Sequence, residues 1–106
     1  MKIGMLINTN DSETLWNAVR FANLCLENDD DVTIFLNSKG VEYEQADRDK
    51  FNIKELVKLF VLSGGRLLAC GKCLGFRGSE GGEFCQKGSQ KDLYEMVVKS
   101  DKLLSF

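Results

Sequence analysis

The spacing of apolar residues changes several times along this chain, and each change marks an element. Residues 2–8, KIGMLIN, form a compact apolar run closed by polar turn formers, the pattern of a buried strand. In TNDSETLWNAVRFANLCLENDDD, the next segment, Leu15, Ala18, Val19, Ala22 and Leu26 recur at helical spacing and share one face. Asn10, Asp11 and Ser12 all suit its N-cap, and Glu13 stands three residues beyond Asn10. Cys25 lies close to the apolar face, where a free cysteine packs as a small hydrophobe. The acidic run Asp29-Asp30-Asp31 ends the helix as a solvated turn. DVTIFLN is β-branched and aromatic and reads as a second strand. A polar connection, SKGVEYEQADRDKFN, pivots on Gly40, and its alternating charges predict a solvated surface. Ile53, Leu56, Val57 and Phe60 mark a second helix, which Ser63-Gly64-Gly65 breaks. RLLAC is a short third strand. After a glycine-rich stretch, Lys91 to Ser100 forms a last helix with Leu93, Met96 and Val97 inward, and KLLSF closes as a strand.

Strands that alternate with helices and are apolar almost throughout predict an α/β fold. The expected architecture is three-layered: a parallel sheet of four to five strands with helices on both faces. Crossovers in such a sheet are right-handed, and binding sites form beyond the carboxyl ends of the strands. Cys70, the last residue of RLLAC, falls at such a position. With 106 residues the chain is expected to form one domain over 1–106, large enough to bury a core without staples.

Composition narrows the function. A net charge of -2 offers no basic field for phosphate backbones, which argues against nucleic acid. No apolar run approaches the roughly 20 residues of a membrane span. The N-terminus reads as a strand rather than a signal peptide, so the expected location is the cytoplasm, where thiols stay reduced. Histidine is absent, which excludes Ser-His and Cys-His catalysis and any histidine metal ligand. Proline is absent too, so bends rest on glycine, asparagine and aspartate.

The candidate chemistry lies in LLACGKCLGFRGSEGGEF, residues 67–84. A thiol at a helix start meets unpaired backbone N–H groups, Gly71 lets the backbone turn close to the sulfur, and Lys72 and Arg77 add positive charge. These features predict an acidified Cys70, partly exposed at the mouth of a crevice. The competing reading is that Cys70 is the last inward residue of a strand. Cys73, three residues on, returns to the same side of a helical turn. The pair reads as a C-x-x-C redox couple, as two metal ligands, or as packing. A zinc site needs four donors, and the chain has neither a second C-x-x-C nor a histidine, so no metal is expected. GFRGSEGGEF lacks the phosphate-loop pattern, and Asp11 and Glu13 oppose a flavin phosphate after the first strand, so no cofactor is expected either. The glycine-rich stretch to Gly88 reads as a surface loop, or as a lid bringing Cys85 to Cys70 as a resolving thiol.

SGGRLLACGKCLGFRG, residues 63–78, resembles the signature of the DsrE/DsrF-like family of sulfur-relay proteins. In that family a strand ends in a cysteine, and an Arg-Gly pair follows seven and eight positions later, matched here by Arg77 and Gly78. KIGMLINT, VTIFLNSKGV and KDLYEMVVKSDKLLSF are similar to the family's opening, second strand and close, so the resemblance covers nearly the whole chain. It implies a DsrE-like, flavodoxin-like topology and assembly as a homotrimer or homohexamer. It also implies that the cysteine matching Cys70 carries sulfur as a persulfide between donor and acceptor proteins or small thiols. The better-studied relay members often lack a cysteine at the position of Cys73, which here permits an internal disulfide. The alternatives are a dithiol redox protein using Cys70 and Cys73, and an oligomeric binding module without chemistry.

Overall fold

The computed structural model describes all residues, 1–106. The chain runs through β1 (Lys2–Ile7), α1 (Ser12–Glu27), β2 (Asp31–Leu36), a 3₁₀ helix (Ser38–Glu42), α2 (Ile53–Leu62) and β3 (Arg66–Cys70). It continues through α3 (Gly71–Phe76), β4 (Gln86–Gly88), α4 (Gln90–Lys99) and β5 (Lys102–Ser105). The five strands make one sheet in the order β4-β3-β2-β1-β5, and every pairing is parallel. This is the expected α/β architecture.

The strand sequences explain the sheet. Ile34, Phe35 and Leu36 are buried in succession, so both faces of β2 are covered and three consecutive apolar residues are satisfied. From β1 to β4 the chain steps across the sheet in one direction, with α1 and α2 packed side by side. It then returns to place β5 on the other side of β1. A right-handed crossover in that reverse direction puts α4 on the opposite face.

Three expectations change. The glycine-rich stretch is not wholly loop: Gln86–Gly88 pairs with β3 as the fifth strand. Val97 is not inward, because α4 seats only Met96 in the core and leaves Val97 45% exposed. The polar connection after β2 is not simply a solvated surface, since Val41, Tyr43 and Ala46 are buried within it. Gly40 allows this, because a Cβ there would lie 2.2 Å from the Ile7 carbonyl oxygen. Only glycine lets the 3₁₀ segment close against the end of β1.

Candidate functional site

The site grows from the register of the sheet. Ile7 pairs with Leu36 and Leu36 with Ala69. Asn8, Asn37 and Cys70 each stand one residue further on and therefore neighbour one another at the carboxyl ends of β1, β2 and β3. Cys70 is both the last residue of β3 and the N-cap of α3, and its sulfur accepts the Cys73 N–H at 3.4 Å. The expected partial exposure is not found: Cys70 is only 6% exposed. Its strand continues the buried run Leu67, Leu68 and Ala69, which carries the thiol into the core edge.

Burial opposes ionisation of Cys70. The backbone N–H and thiol of Cys73, the backbone N–H of Lys72 and the Lys72 charge outweigh it and hold the thiol below its ordinary range. Cys73 moves the other way. Burial and the neighbouring Cys70 keep it protonated to higher pH, against the Ser38 N–H and the Arg77 charge. Of the two, Cys70 is therefore the thiol that gives up its proton first.

Cys73 is held from the β2 side. Its sulfur accepts the Ser38 N–H at 3.3 Å, and its thiol donates to Asn37 Oδ1 at 3.7 Å. The amide of Asn37 is oriented by donating from Nδ2 to Asn8 Oδ1 at 3.1 Å. Its backbone N–H donates to the Ile7 carbonyl at 2.9 Å. Ser38 has φ +51, a left-handed conformation uncommon for a non-glycine residue. That conformation accompanies the N–H bond to Cys73.

Arg77 does not face Cys70. Its Nε pairs with Glu42 at 2.5 Å and its Nη1 donates to the Cys73 carbonyl at 3.0 Å. Glu42, which also accepts from Asn10, is held below the usual carboxylate range by Arg77 and Asn10. Arg77 thus ties α3 to the 3₁₀ segment, and its charge acts on Cys73. Gly78, at φ +59, closes α3. Its N–H bonds the Gly75 carbonyl while the Ser79 N–H bonds that of Leu74, which is a Schellman cap. Gly71 has no left-handed φ, and an added Cβ there would meet only the Gly88 carbonyl oxygen, at an ordinary contact distance of 3.4 Å.

Cys85 stands just before Gln86, which pairs with Leu68, so the register sets it beside the middle of β3 rather than at its Cys70 end. The Cys85 thiol donates to the Gln86 carbonyl at 3.7 Å. Burial and Glu44 push its pKa up to about 11, against the Gly82 N–H. Histidine, cysteine and carboxylate side chains form no group of three or more suited to a metal. A groove of about 310 Å³, lined by residues such as Lys2, Thr33, Arg66, Asp92 and Lys99, lies at the amino ends of the strands, away from both cysteines. Sequence reading missed Asn8, Asn37, Ser38 and Glu42. The signal for the first two was present, since LIN and FLN each end an apolar strand in asparagine.

A parallel α/β sheet with a paired-thiol turn at its carboxyl edge defines the class. The DsrE/DsrF-like family model matches residues 1–106, and the chain belongs to that family. The crystal structure of the ychN protein from E. coli superposes with a TM-score of 0.84 at 22% identity, covering 100% of both chains. At that identity the likeness establishes the fold. A search of curated proteins returns no match. No helix is long and apolar enough to cross a membrane.

Proposed function

We propose that the protein is a sulfur carrier acting in a reducing compartment such as the cytoplasm. The Cys70 thiolate attacks the outer sulfur of a persulfide donor, R–S–SH. A bond forms between Cys70 Sγ and that sulfur, the donor S–S bond breaks, and R–S⁻ leaves with the electron pair. A partner thiol later removes the outer sulfur in the same way. The single observation that carries this reading is the acidified thiol at the Cys70 position of a DsrE/DsrF-like chain. Such a thiolate needs no histidine base, and the chain has none. Lys72 and the first amides of α3 stabilise the charge, while Gly78 and Arg77 shape and anchor the turn. The homotrimer or homohexamer implied by the family resemblance belongs to the same proposal, and sedimentation equilibrium tests it.

At 6% exposure, Cys70 is met more readily by a small donor than by a bulky one. The test therefore uses inorganic polysulfide. Peptide mass spectrometry at the earliest time after mixing is expected to find one added sulfur on the Cys70 peptide and none in Cys70→Ser. Labelling that survives this substitution refutes the assignment.

The dithiol redox reading also draws support, from the Cys73 backbone N–H that donates to the Cys70 sulfur at 3.4 Å and holds the two residues together. It requires a reversible Cys70–Cys73 disulfide with a defined potential in the absence of any sulfur donor.

A further inference from the structure

The two cysteines are held unequally, and the inequality has a chemical use. Cys70 is fixed at the strand end, and its sulfur accepts an amide of its own helix. Cys73 is gripped from another strand, between the Ser38 N–H and Asn37 Oδ1. Asn37 is in turn set by Asn8, so three adjacent strand ends cooperate in aiming one thiol. A thiol needed only for packing has no use for this arrangement.

We infer that Cys73, positioned by Asn37 and Ser38, discharges the sulfur carried on Cys70 as hydrosulfide and leaves a Cys70–Cys73 disulfide. The inference rests on the sulfur-carrier reading and names the product of that same site. In the loaded state Cys70 bears an outer sulfur as Cys70–S–S⁻, and Cys73 is a thiol. The Cys73 sulfur attacks Cys70 Sγ. A bond forms between these two atoms, and the bond to the outer sulfur breaks with its electron pair passing outward. The departing sulfur takes the Cys73 proton and leaves as HS⁻. The outer sulfur is reduced to the sulfide level, the Cys73 sulfur is oxidised from thiol to disulfide, Cys70 Sγ keeps its level, and charge is conserved without an external base or oxidant. A dithiol reductant then reopens the disulfide for another round. The raised pKa of Cys73 agrees with this role, because it keeps the required proton in place until attack. Asn37 is a positioning residue: its oxygen aims the thiol and touches no substrate.

The experiment loads the full chain with inorganic polysulfide, removes the excess by gel filtration, and follows hydrosulfide by monobromobimane trapping alongside peptide maps. Wild type is expected to release hydrosulfide and accumulate the Cys70–Cys73 disulfide. In Cys73→Ser, with Cys73→Ala as a second variant, release is lost and the persulfide builds up on Cys70. Asn37→Ala slows release several-fold while loading of Cys70 is unchanged, a split that a merely structural role would not give. Equal release from wild type and both Cys73 variants overturns the inference. Finding the added sulfur on Cys73 overturns it too, since attack would then fall on the outer sulfur. Undiminished release from Asn37→Ala removes Asn37 from the scheme. An absence of added sulfur on Cys70 in wild type and both Cys73 variants defeats the carrier reading itself, a result distinct from normal loading without release.

Discussion

Cys25, inside α1, and Cys70, at the end of β3, are equally buried at 6% exposure, yet their acidities diverge. Burial and Asp30 raise the Cys25 pKa. At Cys70 burial pulls the same way and loses to the amides of Cys73 and Lys72, the Cys73 thiol and the Lys72 ammonium. Depth therefore does not decide whether a thiol ionises. What decides it is whether hydrogen-bond donors converge on the sulfur. Within a long helix such as α1 the backbone N–H groups are spent on carbonyls four residues back, whereas the opening turn of α3 has them to spare.

The sharpest way to break this comparison is to titrate the two thiols separately. In single-cysteine variants, the pH midpoint of iodoacetamide alkylation is expected below the ordinary cysteine value for Cys70 and above it for Cys25. Coincident midpoints would show that burial, or its absence, governs both. A smaller effect is expected at the third environment, Cys85. Its folded-state pKa is raised from 9.0 to about 11. Stability tied to it is complete below pH 9.0, declines above that value as the unfolded thiol ionises, and is lost as pH rises through about 11. Urea midpoints should decline over that window, and Cys85→Ala should flatten the decline. A decline unchanged in the variant would assign it elsewhere. The smallest effect belongs to Lys72→Met. Removing one exposed charge should slow Cys70 alkylation at neutral pH by about twofold to fivefold, with the difference shrinking in high salt. A larger loss would mean that the charge, rather than the amides, carries the acidification.

Much of the fold was legible because its elements have clean periods. Leu15, Ala18, Val19 and Ala22 repeat at helical spacing and are all buried. RLLAC is a strand whose last four residues are buried. Gln86–Gly88 was not legible, since a three-residue edge strand of glutamine, lysine and glycine has no apolar pattern to display. Val97 misled for a related reason. Apolar spacing on α4 identifies the helix, but α4 buries only Met96, so an apolar residue beside that contact stays in solvent. In the site, the residues adjoining Cys70 in sequence were found, and Asn8, Asn37, Ser38 and Glu42 were not. They come from segments 28 or more residues away and meet the cysteines only through strand register and the closure of the 3₁₀ segment on β1.

By itself the order of residues determined a parallel α/β fold, a cysteine at the end of its third strand, and a second thiol one helical turn later. Those features follow from local period and spacing, which adjacent residues carry among themselves. Only the tertiary structure decided that Cys70 is buried, that Arg77 pairs with Glu42 instead of serving the Cys70 sulfur, and that two asparagines orient Cys73. Each of these depends on which strand lies beside which and at what register, and no single stretch of chain encodes that relation.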